Sequence, residues 1–476
     1  MSSDQTAATT PAHPDAPRAR GAAEHAVPGE GHAIVLGAGI AGLLATRVLA
    51  DRFARVTLVE RDELTETDGG GPDVRRGVPQ ARHLHGLLDR GRTAIEQLYP
   101  GFTAEMARRG AATAEVLIGT RWYVAGLRVA TADTGLTSVL ATRPLLEAVL
   151  RDRTLALPGV RPLPGTTARG LLGAAHRVRG VLAVTDDETR TLPADLVVDA
   201  TGRGSRAGEW LTRLGAHAPQ EERLEVDLGY SSRFFRCAPG DADGPASIIM
   251  STGANGHGGG AIRVEGDRWH VTLAGMLGDH PPTDPAEFAA FAAGLSGPDI
   301  HDIVTGREPL GDPVPHRFRQ SVRRRFDRQP IVPRGFLVLG DALCSFNPLY
   351  AQGMTVAAQQ ALALRDCLHV PEHELPQRFY AAAGAAVTAA WQLATSADLA
   401  HDGLVARRTL RTRVTNAYVA RAQRAAHLDP RVARAFLRVT NLVESPAALL
   451  DPRIAGRILL HGNVSPTAPA SEPGNH

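Results

Sequence analysis

The sequence predicts a mixed α/β fold: a parallel βαβ unit near its start, an inserted antiparallel sheet, and a helical C-terminal region. Three observations carry this expectation. The apolar run Ala33 to Leu36 leads into Gly37-Ala38-Gly39-Ile40-Ala41-Gly42 and a helical stretch, Leu43 to Leu49, before a second strand-like run, Val56 to Val59, closes at Glu60. Between about Arg223 and Leu277, the runs Leu228 to Phe235, Ser247 to Met250, Ala261 to Val264 and Trp269 to Ala274 are bounded by Gly, Pro and Asp turns, the pattern of short antiparallel strands. A last buried strand, Phe336 to Leu339, runs into Gly340-Asp341, and helical patterns follow at Gly353 to Leu368, Glu374 to Ala400 and Pro430 to Leu442.

The glycine motif is informative because the strand before it and the helix after it are both written out. Gly37 permits a tight turn, Gly39 lets backbone N–H groups approach a pyrophosphate, and Gly42 lets the helix pack closely on the strand. The helix N-terminus then favours the phosphate charge. Glu60 follows at the distance where a carboxylate accepts from ribose hydroxyls, which argues against a 2′-phosphate. This is a Rossmann-like dinucleotide site, open at this point to FAD or NAD.

At 476 residues the chain has room for two or three domains. Its 52 basic and 50 acidic residues give no large net charge that would favour nucleic acid or an anionic membrane. Every basic residue is arginine, a composition that fits a GC-rich genome. Cys237, Cys344 and Cys367 are three, widely spaced and without a CxxC pair, so disulfides and a cysteine-rich metal site are not expected and a reducing cytoplasm is. No run approaches the ~20 apolar residues of a membrane span. Residues 1–30 and 465–476 read as disordered tails. Between them we expect a nucleotide-binding part over 31–222, a β-sheet substrate domain over 223–325, a return to the nucleotide-binding part over 326–370 and a helical region over 371–464. Two further helices are expected at His83 to Leu98 and Thr142 to Leu150, and a buried strand at Leu196 to Ala200.

Three further motifs decide the cofactor. Phe336-Leu337-Val338-Leu339-Gly340-Asp341-Ala342 sets a carboxylate just off a strand end, placed to hold the ribityl hydroxyls of a flavin. Asn347-Pro348-Leu349-Tyr350-Ala351-Gln352-Gly353-Met354-Thr355 leads into a helix whose positive end would stabilise charge near N1 and O2 of a reduced flavin. Leu196-Val197-Val198-Asp199-Ala200-Thr201-Gly202-Arg203-Gly204-Ser205-Arg206 adds a Gly-bearing turn beside the dinucleotide site. Arg143, in Thr142-Arg143-Pro144 at a helix start, suits a pyrophosphate as well as it suits a plain surface role.

On these residues the chain resembles FAD-dependent class A flavoprotein monooxygenases over nearly all of 31–460. The stretch Arg76-Gly77-Val78-Pro79-Gln80-Ala81-Arg82-His83-Leu84-His85, the turn Ala200 to Arg206 and the segment Gly340 to Met354 are most similar to actinobacterial epoxidases of polyether and terpenoid precursors. The resemblance implies an α/β fold with a Rossmann-like FAD-binding domain, an inserted antiparallel β-sheet substrate domain roofing the isoalloxazine, and a C-terminal helical region. It implies FAD contacts at Gly37, Ala38, Gly39, Ile40, Ala41, Gly42, Glu60, Arg61, Arg143, Gly340, Asp341, Gly353 and Met354. It also implies oxygen transfer from O2, through a flavin C4a-hydroperoxide, to an apolar natural-product intermediate by epoxidation or hydroxylation. Two departures stand out. Class A enzymes carry Asp-Gly where this chain has Thr201-Gly202, which turns the expected NAD(P)H electron supply toward a separate flavin reductase. They also tend to have Gly where Ala351 sits.

The cofactor supplies the chemistry in such enzymes, so no catalytic base is assigned. Phe234, Met250 and Trp269 are substrate-pocket candidates, although such residues on strands are more often plain core. His83 and His85 are as suited to a structural role as to flavin contact, and no metal site is expected. Arg323-Arg324-Arg325 reads as a solvated face or docking patch, with no nucleic acid implied. The FAD motifs serve two other activities equally: a non-redox cyclase of a polyene, and a reductase similar to geranylgeranyl reductases.

Overall fold

The computed structural model describes residues 29–64, 75–253 and 255–462. Most of the expected tails lies outside the described residues; Gly29 and Glu30 already belong to the first strand, Gly29–Leu36. That strand sits centrally in a five-stranded parallel sheet, in the order Phe336–Val338, Leu196–Asp199, Gly29–Leu36, Phe53–Val59, Val160–Leu163. Ala33, Ile34, Val35, Val197, Val198, Phe336 and Leu337 are fully buried, as continuous apolar strands covered on both faces must be. The helices Ile40–Ala50 and Gly353–Cys367 pack on each other beside this sheet and bury Leu43, Leu44, Val356 and Leu364 in one core.

After Asp199 the chain leaves the parallel sheet and re-enters it at Phe336, where Leu337 pairs with Val198 and Val198 with Val35. This register sets the carboxyl ends of three strands side by side, the edge of an open parallel sheet where ligands bind. The excursion builds most of an eight-stranded sheet: Cys344–Ser345, Pro309–Arg324, Glu221–Arg236, Arg268–Gly275, His257–Val264, Ser247–Met250, Thr120–Val124 and Leu127–Arg128. Its last two strands come from the first part of the chain, and Thr120–Val124 joins by a parallel pairing to Ser247–Met250. Among the described residues two three-stranded sheets complete the β-structure, one a meander of Thr166–Ala174, Arg177–Thr185 and Glu188–Pro193. Helices Leu375–Asp398, Leu410–Leu428, Pro430–Thr440 and Pro452–His461 form the C-terminal region. The last three enclose a second core with Val116, Leu117, Val124 and Val129. Among the described residues no helix is long and apolar enough to cross a membrane.

Two readings are corrected. The helix expected from His83 begins at Asp89, because Pro79–Arg82 forms a 3-10 turn and Gly86–Leu87 a short strand. The run Arg323 to Arg325 is neither a solvated face nor a docking patch. It ends the long strand Pro309–Arg324, where Arg325 pairs with Asp327 at 2.6 Å, Arg324 with Glu221 at 3.0 Å and Arg323 with Glu222 at 3.9 Å. All three side chains are at most 12% exposed, so these are covered ion pairs. The strand itself escaped the periodic pattern because Gly311, Pro313 and Pro315 interrupt it.

Candidate functional site

The glycine motif divides its work between folding and opening space. Gly37 holds φ +95°, and a Cβ there would stand 2.8 Å from the Ala200 carbonyl. A Cβ on Gly42 would lie 1.7 Å from the Gly37 carbonyl oxygen, so the helix can pack on the turn only with glycine at that position. A Cβ on Gly39 would meet nothing within 4 Å. Gly39 also caps the helix Ile40–Ala50 without a side-chain bond, leaving its first N–H groups free toward a cavity.

Glu60, at the end of the second strand, is buried and lines that cavity. Its Oε2 accepts from the Ala38 N–H at 2.7 Å and its Oε1 from the Asp62 N–H at 3.1 Å. Arg75, which sequence reasoning passed over, reaches Glu60 at 3.0 Å and Glu147 at 2.9 Å and donates to the Ala38 carbonyl at 3.0 Å. Nothing local distinguishes Arg75 from its exposed neighbour Arg76; only the fold brings it to carboxylates far along the chain. Arg143 lines the cavity and donates through Nε to Glu147 at 2.7 Å. Burial would raise the Glu147 carboxyl, but Arg143 and Arg75 outweigh it and hold the group below the usual range. Arg61 lies at the same end, donating to the Gly77 carbonyl at 3.3 Å.

The Gly340-Asp341 turn is pressed against the glycine motif: Gly340 holds φ +67°, and a Cβ there would be 2.5 Å from Ala41 Cβ. The Gly340 N–H donates to Gln360 Oε1 at 2.6 Å, tying the turn to the following helix. Asp341 lines the cavity, and burial pushes its carboxyl up against the opposing pull of Arg203, Arg143 and Arg324. Gly353 opens its helix beside it, with Met354 also on the cavity wall. Ala351, where the resemblance expects glycine, sits in left-handed backbone at φ 52°. Behind the loop, Asp398 accepts from Asn347 Nδ2 at 2.7 Å and from the Tyr350 hydroxyl at 2.8 Å. Its carboxyl is fully covered and burial pushes it up to about 7.

Thr201 donates from its N–H and its hydroxyl to Asp199 Oδ1, at 2.9 and 2.6 Å. The residue replacing the expected Asp therefore caps the strand end. His83 and His85 sit in the loop over the sheet and both line the cavity. His83 Nδ1 bonds Ser232 Oγ at 2.7 Å, Ser232 bonds Thr272 at 2.6 Å, and the His316 ring centre is 5.0 Å away. Burial drives both histidines down to about 3, with His316 adding at His83 and Arg143 at His85, so each is a neutral imidazole at pH 7.

Of the three pocket candidates, Met250 lines the cavity. Phe234 does not: it stacks on His270 at 4.1 Å and packs with Leu84, Leu140 and Ile262, under the loop and a small sheet. Trp269 points to the opposite face, among Phe288 and Ile300, with its Nε1 donating to Asp241 at 2.8 Å.

One cavity of about 1780 Å³ joins all three motifs. It continues between the large sheet, at Tyr230, Ile249 and Phe318, and the C-terminal helices, at Leu393, Tyr418 and Phe436. The open cradle at Gly39, the carboxylates of Glu60 and Asp341 and the free helix N-termini at Ile40 and Gly353 are the donor and acceptor set an FAD needs.

The model of the FAD dependent oxidoreductase family matches residues 33–272. The chain is 33% identical over 447 residues to Protein Rv3254 of Mycobacterium tuberculosis, covering 90% of this chain and 93% of that protein. It is 26% identical to kynurenine 3-monooxygenase of Salinispora tropica, over 70% of this chain and 72% of the relative. In fold it is similar to PqsL, a probable FAD-dependent monooxygenase from Pseudomonas aeruginosa, with a TM-score of 0.57 at 17% identity, over 78% of this chain and 97% of that one. The chain belongs to the FAD-dependent oxidoreductase family.

Proposed function

We propose that the protein is an FAD-dependent monooxygenase that inserts one oxygen atom from O2 into a largely apolar intermediate, by epoxidation or hydroxylation. The observation that carries this reading is the single cavity running from the dinucleotide cradle, past two neutral histidines, into an apolar chamber. The monooxygenase named among its relatives supports it.

The parallel-sheet part, 31–222 with 326–370, holds the cofactor, and the sheet over 223–325 roofs the substrate. Backbone N–H groups at Gly39 to Gly42, with Arg143 nearby, take the pyrophosphate, while those of Gly37 and Ala38 are held by Val59 and Glu60 and shape the turn; Glu60 and Arg61 face the adenosine end; Gly340 and Asp341 take the ribityl chain; Gly353 and Met354 present the helix end to the flavin ring. Bound FAD supplies the redox and oxygen chemistry. The protein's own part is to orient the substrate and exclude water, which the apolar walls at Ile249, Leu349 and Phe436 do. A neutral His83, held through Nδ1 by Ser232, can orient a substrate hydroxyl by a hydrogen bond at its other nitrogen, and burial keeps it too weakly basic to serve as a proton acceptor. Thr201 bonds inward to Asp199, which favours electrons from NAD(P)H by way of a separate flavin reductase.

The test is turnover of purified holoenzyme with a flavin reductase, NADH and candidate polyenes or phenols, followed by oxygen uptake and product mass. Monooxygenation adds one oxygen atom and consumes O2. Addition of two hydrogens would assign a reductase, and an isomeric product without oxygen uptake a cyclase.

A further inference from the structure

The near-neutral charge of the whole chain conceals a local imbalance. Over 408–462 the sequence holds ten arginines and only three acidic residues, Asp429, Glu444 and Asp451. The helices Leu410–Leu428 and Pro452–His461 contain no acidic residue at all. Asp429 and Glu444 are taken up by Arg457 at 2.5 Å and Arg438 at 2.5 Å. Arg411, Arg413 and Arg453 are exposed and carry no ion pair among the described residues.

Exposed apolar side chains gather on the same helices and on the 3-10 turn Pro446–Leu450 that precedes the last of them. Leu410 is 79% exposed, Val414 64%, Leu450 63% and Leu460 74%. Leu410 and Val414 stand four apart on one helix face, flanked by Arg411 and Arg413; Arg453 and Leu460, seven apart, share a face of the last helix. The two helices pack on each other, and Tyr418 donates to the Leu449 carbonyl at 2.6 Å, which brings Leu450 toward the Val414 end. Arg411, Val414 and Leu450 also line the cavity, so this patch borders its mouth.

We propose that the C-terminal helices dock the protein peripherally on an anionic lipid surface, with Leu410, Val414 and Leu450 entering the interface and Arg411 and Arg413 on the headgroups. Apolar side chains ringed by unpaired cations are the pattern of an interfacial helix. A second copy of the chain fits worse, because a two-fold contact would set these arginines against themselves. The segment 463–476 offers one acidic residue, Glu472, and little apolar surface to cover the patch. This docking does not depend on the flavin chemistry proposed above.

The experiment is co-sedimentation of full-length holoprotein with phosphatidylcholine vesicles made with and without phosphatidylglycerol, at low and high salt. Binding to the anionic vesicles that fades with salt is expected. The double change Arg411→Ala with Arg413→Ala should weaken partitioning by about 25-fold, roughly fivefold per arginine. Leu410→Asp should weaken it with the melting temperature unchanged. Equal sedimentation with both vesicles, none with either, or full binding by the arginine variant would overturn the proposal. So would a concentration-dependent dimer that Leu410→Asp abolishes, since the face would then be a contact between copies.

Discussion

The Tyr350 hydroxyl donates to the Asp398 carboxylate at 2.8 Å, fastening the loop that precedes the Gly353 helix to the end of the helix Leu375–Asp398. Asn347 adds a second bond to the same oxygen, and the other carboxylate oxygen has no hydrogen-bond partner. A covered carboxyl in this position titrates late, and that has a measurable consequence.

Asp398 is raised to about 7 in the folded protein, from an ordinary value near 4, so between those values the folded state holds a proton the unfolded state has lost. Its contribution therefore falls as pH rises through that window. His83, His85 and His270 act oppositely: each is lowered to about 3 when folded, so stability is lost as pH falls below about 6.5. At pH 5 three protons outweigh one, so these four groups together should lower stability by about 3 kcal/mol per pH unit on acidification. In Asp398→Asn the opposing group is gone and the slope should steepen to about 4 kcal/mol per pH unit. Denaturation midpoints at pH 5, 6 and 8 check both the sign and the difference.

Gly39 and Gly42 should separate cleanly. Gly39→Val adds bulk where the protein has only open space, so it should fold with an unchanged melting temperature and lose flavin absorbance. Gly42→Ala puts a methyl group on the Gly37 carbonyl and should lower the melting temperature even without cofactor. If Gly39→Val purified fully flavin-loaded, the cradle would lie elsewhere.

Arg75→Met leaves Glu60 and Glu147 covered, at 8% and 6% side-chain exposure, with one fewer cation between them. A loss of about 3–5 kcal/mol is expected. Chemical denaturation of the flavin-free protein measures it, and FAD titration should show weakened affinity as Glu60 loses its anchor.

Ala351→Gly should stabilise, because an L-residue in left-handed backbone costs about 1 kcal/mol that glycine avoids. A raised urea midpoint is the expected result. An unchanged or lowered midpoint would mean that the flexibility added to the unfolded chain offsets the relief.

The Gly37 to Gly42 turn, Glu60 at its strand end and the Gly340-Asp341 turn were all legible along the chain. Each rests on the conformational reach of a few neighbouring residues, and such preferences are local. Strand position was legible where burial on both faces makes a continuous apolar run, as at Ala33 to Leu36. The family and its cofactor follow from these local features.

Only the tertiary structure decided which side chains meet. Phe234 and Trp269 read alike as aromatic strand residues, but pairing of Phe234 with His270 and of Phe235 with Trp269 turns them to opposite faces, and a loop then covers the first. Arg75 joins two carboxylates, one of them 72 residues away, and Arg323 to Arg325 are covered by acids contributed mainly by another strand. The Leu410–Leu428 helix closes the cavity from far along the sequence. Burial and ion pairing depend on distances between remote segments, and those distances come into being only when the parallel sheet registers its strands and the excursion between Asp199 and Phe336 folds back over their ends.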